Sequence, residues 1–387
     1  MFRYPPPSLV QPRTLIEYNG SSQLARWSKV MTRPSVREMR EALEDQILSP
    51  YAARSVDAVR DTLEPPCPIR TAYQRDRDRI LHSKSFRRLK HKTQVFIAPL
   101  GDHYRTRLTH TLEVTQVART VARALRLNED LTEAIGLGHD LGHAPFGHAG
   151  EVALSRICPG HFRHNEQSRR IVEVLERDGA GLNLTYAVRE GIHLHSKARR
   201  DITATAWGTA KTLEGQLIKL CDSIAYINHD IDDAIRAGIL RREDLPPECT
   251  DVLGNSSSEL LTTMVSDLIY HNWWATGEGT PPDPPVLKMS PPILAATNKL
   301  RDFLYQHVYW RPEATEENEK VAFVIETLYR YFLSHPEAIP IELRTIVERR
   351  GEPIEQAVVD YIAGMTDRYA LAVFKQIFVP RTWGATP

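Results

Sequence analysis

Long apolar runs are absent from this 387-residue sequence: no stretch approaches the ~18 consecutive apolar positions of a membrane-spanning helix. A membrane partner is therefore not expected. Net charge is absent too, because 49 basic residues balance 49 acidic ones, so no overall field favours nucleic acid or an acidic bilayer. Cysteine is scarce, with four residues (Cys67, Cys158, Cys221, Cys249) and no CxxC spacing, which excludes a zinc ribbon or a disulfide scaffold. Reduced thiols in a cytoplasmic protein fit that usage, with Cys221 read as a packing residue. No GxxxxGK[ST] loop occurs, which argues against the phosphate cradle of common β–γ-cleaving nucleotidases. No internal repeat is found.

Histidine is present and unevenly placed. Of the 15 histidines, 12 fall between His82 and His229. Within that interval His110 lies in RTRLTH, His139 and Asp140 in GLGHDLGH, and Asp222 in LIKLCDS. Each sits on a segment with helical periodicity. Val114, Val117, Ala118, Val121, Ala122 and Leu125 recur at three and four, as do Leu213, Leu217, Leu220, Ile224, Ile227 and Ile231. A third apolar run begins near Leu131 and ends at His139 and Asp140. Adjacent residues point about 100° apart on a helix, yet at a helix end both reach one cleft. Three helices then deliver two imidazoles and two carboxylates to one point. Two nitrogen and two oxygen donors suit a divalent ion, whether Mn, Mg, Fe, Co, Ni or Zn, with imidazole favouring the later metals.

Other polar residues gather around these four. His148 and Glu151 lie three apart after a Pro and a Gly that set a new helix start, so a carboxylate can fix the tautomer of an imidazole that moves a proton. Arg107 lies one turn before His110 and can grip a phosphate beside a metal. His143 follows His139 by one turn's spacing. Tyr226 and Asp230 follow Asp222 at steps of four, on one face of the same helix. Lys197, Arg199 and Arg200 form a cationic run that either binds outer phosphates or is solvated. Arg87, Arg88, Lys90 and Lys92 leave single-strand binding as an alternative role.

The flanks differ from this centre. Residues 1–38, with PPP at positions 5 to 7, read as a flexible extension. Residues 39–240 hold the chemistry, with the motif region at about 105–232. Residues 241–387 read as a C-terminal helical region, broken by Pro and Gly between 245 and 292 and then carrying stripes such as Val321, Val324, Ile325 and Leu328, and Val358, Ile362 and Met365. Trp273 and Trp274 read as core. The expected architecture is all-α, a helical core with a C-terminal helical layer.

The pattern H…HD…D resembles the HD-domain phosphohydrolases. The blocks YQRDRDRILHSKSFRRLKHKTQVF, RTRLTHTLEV, GLGHDLGHAPFGHAGE, RHNEQS and LIKLCDSIAYINHDIDDAIRAG resemble their bacterial deoxyguanosine triphosphate triphosphohydrolase-like branch, in order and over about residues 39 to 240. This resemblance implies a metal-dependent enzyme that splits a dNTP into deoxynucleoside and tripolyphosphate. It implies metal ligation by His110, His139, Asp140 and Asp222, and attack on the α-phosphorus served by His148 and Glu151. It also implies α-phosphate contacts from His143 and His164, a 3′-hydroxyl contact from Gln94, and deoxyribose contacts from Tyr226 and Asp230. A homo-oligomer and a nucleotide activator are further expectations from the same likeness. The alternatives are another HD phosphohydrolase, such as a nucleotide phosphodiesterase or monophosphatase, and a nucleotide- or single-strand-binding HD protein without turnover.

Overall fold

Helix follows helix wherever the apolar periodicity runs. The computed structural model describes residues 33–94, 105–196 and 208–380, and among these the only extended pairing is a single antiparallel bridge between Thr93 and Thr106. The all-α architecture expected from the sequence is what the chain adopts. The longer helices are α1 Val36–Ile47, α2 Ala72–Leu81, α3 Arg107–Ala124, α4 Glu129–Gly138, α5 Gly147–Ile157, α6 His164–Arg170, α7 Tyr186–Leu194, α8 Leu213–Arg236, α9 Ser257–His271, α10 Pro291–Leu304, α11 Pro312–Ser334, α12 Ile341–Arg350, α13 Ile354–Ala363 and α14 Asp367–Phe378.

Local chemistry sets several of the starts. Ser35 with Glu38 and Thr71 with Gln74 form capping boxes at α1 and α2, satisfying N–H groups that a helix start leaves open. Asn128 caps α4 by accepting from Leu131 N, and Glu129 and Asp130 in the first turn complement the helix dipole. The first described helix begins at Val36, three residues before the Met39 boundary drawn from composition.

Two apolar cores result. The first joins α3, α4, α7 and α8 through Val121, Ile135, Ile192, Leu217 and Ile224, all fully buried, and continues into Leu260, Met264 and Leu268 of α9 and Leu300 and Leu304 of α10. The second joins Phe146 and Leu154, at and within α5, to Val321, Ile325 and Leu328 of α11 and Val358 and Ile362 of α13. Each fully buried Leu or Ile there contributes about 1.5–3 kcal/mol. The helices directly after residue 240 thus share the core of the ligand-bearing helices, and α5 crosses to the C-terminal layer.

The stretch 245–292 is interrupted at Gly254 and again between Asn272 and Ser290, and between these breaks Ser256 and Glu259 form a capping box that starts the 15-residue helix α9. One expectation needs correction, that both tryptophans lie in the core. Trp274 packs on this core edge-on to Tyr51, with ring centroids 5.5 Å apart, whereas Trp273 is exposed.

Candidate metal centre

The end of α4, the start of α3 and the middle of α8 meet at one buried point. His139 caps α4 and Asp140 follows it, so the adjacent pair faces one cleft. Close packing here depends on Gly142: a Cβ would come within 2.1 Å of Ser168 N and 2.3 Å of the His164 carbonyl on α6. Ser168 Oγ ties the turn down, accepting from Gly142 N at 2.8 Å and donating to the His139 carbonyl at 2.7 Å.

The four residues with metal-ligand chemistry are brought together. His110 Nε2 is 3.1 Å from Asp222 Oδ1 and 3.8 Å from Asp140 Oδ2, and His139 Nε2 is 3.5 Å from Asp140 Oδ1 and 4.0 Å from Asp222 Oδ1. His139 Nδ1 donates to the Gly136 carbonyl at 2.6 Å, which fixes the tautomer and leaves Nε2 bare, buried and without a hydrogen-bond partner. A buried nitrogen held lone pair inward among two carboxylates and a second imidazole is the state that suits a divalent cation. The donor set therefore fits a metal ion, and its chemistry does not select one metal.

Around Asp140 the charges are arranged in a fixed pattern. Arg107 Nη1 donates to Asp140 Oδ2 at 2.6 Å, with both side chains buried. Burial alone would raise the Asp140 carboxyl, but His139 and Arg107 outweigh it and hold it well below the usual carboxylate range. His143 Nε2 lies 3.3 Å from Asp140 Oδ1; burial first and Arg107 second push its imidazole down to about 3, so it stays neutral. His143 stacks on His164 with centroids 4.1 Å apart and planes 15° apart.

Glu151 makes its closest contacts with His164. Its Oε1 accepts from His164 N and from His164 Nδ1, both at 2.9 Å, whereas Oε2 lies 3.8 Å from Nδ1 of His148, whose side chain is 60% exposed. The close pair expected between His148 and Glu151 is thus the looser of two, because the loop before α6 delivers both a backbone N–H and an imidazole to the carboxylate. Burial would lower the His164 imidazole, but Glu151 more than offsets it and raises it. His164 Nε2 in turn faces Nε2 of His195 at 3.2 Å.

His195 was not singled out from the sequence. It ends α7 as the second histidine of HLHS, buried, with Nδ1 donating to the Ile192 carbonyl at 2.7 Å and Nε2 3.9 Å from Asp140 Oδ1. The one local hint was that it follows His193 by two.

Farther along α8, Asp230 Oδ2 accepts the Tyr309 hydroxyl while Oδ1 is buried without a partner, and burial pushes the carboxyl up to about 8. Tyr226 lies one turn away on the same helix, half-buried. Gln94 Oε1 is likewise buried and unpartnered, and its carbonyl lies 3.5 Å from Arg107 Nη2. Lys197, Arg199 and Arg200 lie outside the described residues. Lys92, read as part of a basic surface run, is instead buried: its Nζ donates to the carbonyls of His143 and Ala363, the latter at 2.8 Å. It cannot contribute to a phosphate-binding surface. Among the described helices none is long and apolar enough to cross a membrane.

Comparison with known proteins places these residues in context. The HD domain family matches residues 107–227, and the phosphohydrolase-associated domain matches residues 287–376. A deoxyguanosinetriphosphate triphosphohydrolase-like protein from Caldanaerobacter subterraneus subsp. tengcongensis is 54% identical over 349 residues, covering 90% of this chain and 97% of its own. A protein of the same description from Desulfatibacillum aliphaticivorans is 48% identical over 353 residues, covering 89% and 99%. A crystal structure of a hypothetical protein from Aquifex aeolicus aligns over 78% of this chain and 71% of its own at 17% identity, with a TM-score of 0.41.

Proposed function

Because this chain belongs to the HD-domain deoxyguanosinetriphosphate triphosphohydrolase-like family of phosphohydrolases, we propose that it hydrolyses deoxynucleoside triphosphates to deoxynucleoside and tripolyphosphate. The observation that carries this reading is that Arg107 and His143 both contact the Asp140 carboxylate that joins the metal-type cluster, so phosphate-binding groups and metal donors share one buried corner.

In this reading His110, His139, Asp140 and Asp222 hold a divalent ion, which supplies Lewis-acid stabilisation of charge at the α-phosphate. Arg107 binds a non-bridging phosphate oxygen, and His143 and His164 orient the α-phosphate by hydrogen bonds. Water adds to the α-phosphorus and the bond to the deoxyribose 5′-oxygen breaks. The water oxygen departs in the tripolyphosphate, and a proton reaches the leaving 5′-oxygen. His148 carries that proton, with Glu151 Oε2 orienting its ring once the exposed side chain turns inward over substrate. The orphaned Asp230 Oδ1 and Gln94 Oε1 receive sugar hydroxyls, and Tyr226 fills the space a 2′-hydroxyl would need. Lys197 meets the outer phosphates. Assembly as a homo-oligomer and activation by a second nucleotide belong to the same reading.

The test is incubation with each of the four dNTPs and with GTP, in Mn²⁺, Mg²⁺ or chelator, followed by chromatography of the products. Deoxynucleoside with intact tripolyphosphate, lost on chelation, is expected. Release of orthophosphate or pyrophosphate would instead place the cut at another phosphorus.

A further inference from the structure

Two stretches of chain at the candidate site, one packed against Arg107 and the other carrying Asp140 and His143, end on the same C-terminal helices. The first is Lys92–Gln94. Its Lys92 carbonyl accepts from Arg107 N at 3.1 Å, its Gln94 carbonyl faces Arg107 Nη2, and Thr93 bridges Thr106 at the start of α3. The second is the turn His139–Phe146, which holds Asp140 and His143 and leads into α5. Phe146 and Gly147 both have positive φ, +65° and +58°, and a Cβ on Gly147 would meet the Gln94 and Thr93 carbonyls at 3.1 and 3.2 Å. The two stretches therefore lie against each other, and no helical ladder fixes either.

Beyond the Ser168 tie at Gly142, what fixes them is a polar junction with the end of α13 and the first residue of α14. Asp367 Oδ1 accepts from Phe146 N at 2.8 Å, while Oδ2 accepts from Thr93 N at 2.8 Å and from Thr93 Oγ1. Lys92 Nζ runs the other way, donating to the His143 carbonyl and to the Ala363 carbonyl at the end of α13. Lys92, Thr93, Phe146 and Asp367 are all buried. One carboxylate and one amine thus tie both stretches to the C-terminal layer and, through it, to each other.

We propose that Lys92 and Asp367 are positioning residues, a clamp by which the C-terminal helical layer sets the register of His143 and Arg107 against Asp140. Its catalytic consequence rests on the proposed triphosphohydrolase reading. The clamp touches no substrate atom and supplies no metal ligand. Its loss therefore lowers the rate of the chemical step while metal stays bound. Groups displaced by as little as 1 Å can cost ~10²-fold in rate, so a clamp that acts through His143 and Arg107 is worth roughly tenfold or more in kcat.

Asp367→Asn is the sharpest variant. It keeps shape and size, yet an amide NH₂ must now face either Phe146 N or Thr93 N, donor against donor. Leu328→Ala, in the apolar core of the same layer, serves as the control for general weakening. Hydrogen exchange read by mass spectrometry should show faster exchange in both the 92–94 and the 143–147 stretches of Asp367→Asn, although some fifty residues separate them, and not in Leu328→Ala. In parallel, kcat should fall about tenfold with KM within about threefold and bound metal unchanged. Asp367→Glu, which restores an acceptor pair on a longer arm, should recover part of the loss. Unchanged exchange in either stretch, or faster exchange with wild-type kcat, would overturn the clamp. If the wild-type protein turned over no dNTP, the proposed reaction would fail, and the exchange comparison would still decide the clamp.

Discussion

The metal-type corner and the Lys92–Asp367 junction are equally buried and built from similar polar groups, but they differ in how their hydrogen-bonding capacity is used. At the corner and the cleft beside it, His139 Nε2, His110 Nδ1, His143 Nδ1, Gln94 Oε1 and Asp230 Oδ1 are buried without partners. At the junction, Lys92 Nζ, both Asp367 oxygens and the Thr93 hydroxyl are all engaged. A buried polar group left unpaired costs about 1–3 kcal/mol, so a cluster of them favours binding of water, an ion or a ligand that pairs with it. Unused capacity gathered at the corner fits a bound ligand there, and full pairing at the junction fits a role in holding geometry.

The largest effect expected from that contrast is at Asp140. Asp140→Ala removes the carboxylate that His139, His143 and Arg107 share and leaves the Arg107 guanidinium buried without its partner. Bound metal, measured by elemental analysis of the purified protein, and turnover should vanish together. A variant that kept either one would separate the metal from the chemistry.

A fully paired site should behave in the opposite way. Asp360 on α13 is buried and accepts from Arg170 and Gln167, and Arg170 also binds Glu352 at 2.6 Å. Breaking a buried pair costs about 3–5 kcal/mol, with Asp360→Ala at the low end because Glu352 still holds the guanidinium. Denaturant titration should show that loss, while kcat measured below the new melting temperature stays within about twofold of wild type. A large fall in kcat would mean that pairing does not separate structure from function here.

His148 lies outside both classes, exposed beside Glu151. His148→Ala should keep its metal and lose about 10²-fold in kcat, the usual worth of a proton carrier. Full activity would shift the proton to His164, the imidazole Glu151 already holds. Tyr226→Ala tests specificity and should move the ratio of dGTP to GTP turnover by about tenfold toward the ribonucleotide, with metal content unchanged. An unmoved ratio would remove the steric argument.

How much of this was legible in the sequence follows from where each partner lies along the chain. The stripes through Val114–Leu125 and Leu213–Ile231 gave α3 and α8 because periodicity is a local property. His139 and Asp140 were visible because they are adjacent and end such a stripe. The start of α9 is hard to place from sequence, because the Ser256 and Glu259 cap sits among the Pro and Gly residues that interrupt the region. The contact between Glu151 and His164 spans thirteen residues and a loop, so spacing favoured the nearer His148. His195 reaches the site through the packing of α7 on α4, α6 and α8. Lys92 ends a basic run that leaves single-strand binding open, and nothing local shows that its ammonium meets carbonyls 51 and 271 residues away.

The smallest effect expected concerns that same ammonium, and it tests whether the junction is as dry as its pairing implies. Burial, with Arg88 and Arg107 nearby, pushes Lys92 down to about 7 from an ordinary 10.5, against the opposing pull of Asp367 and Asp140. Below pH 7 the folded and unfolded chains both carry the proton, and Lys92 adds no slope to stability. Between pH 7 and 10.5 the unfolded chain binds a proton that the folded chain has released, so the Lys92 contribution rises with pH. A neutral amine still has two hydrogens for the two carbonyls, so the clamp persists through the titration. Lys92→Met removes the titration and the donors together. The stability gap between wild type and Lys92→Met should therefore widen from pH 7 to pH 9, and wild type should take up nearly one more proton on unfolding at pH 8.5, read by calorimetry in buffers of different ionisation enthalpy. A gap flat with pH would mean that Asp367 keeps the ammonium charged, making the junction an ion pair and not a neutral hydrogen-bonded one.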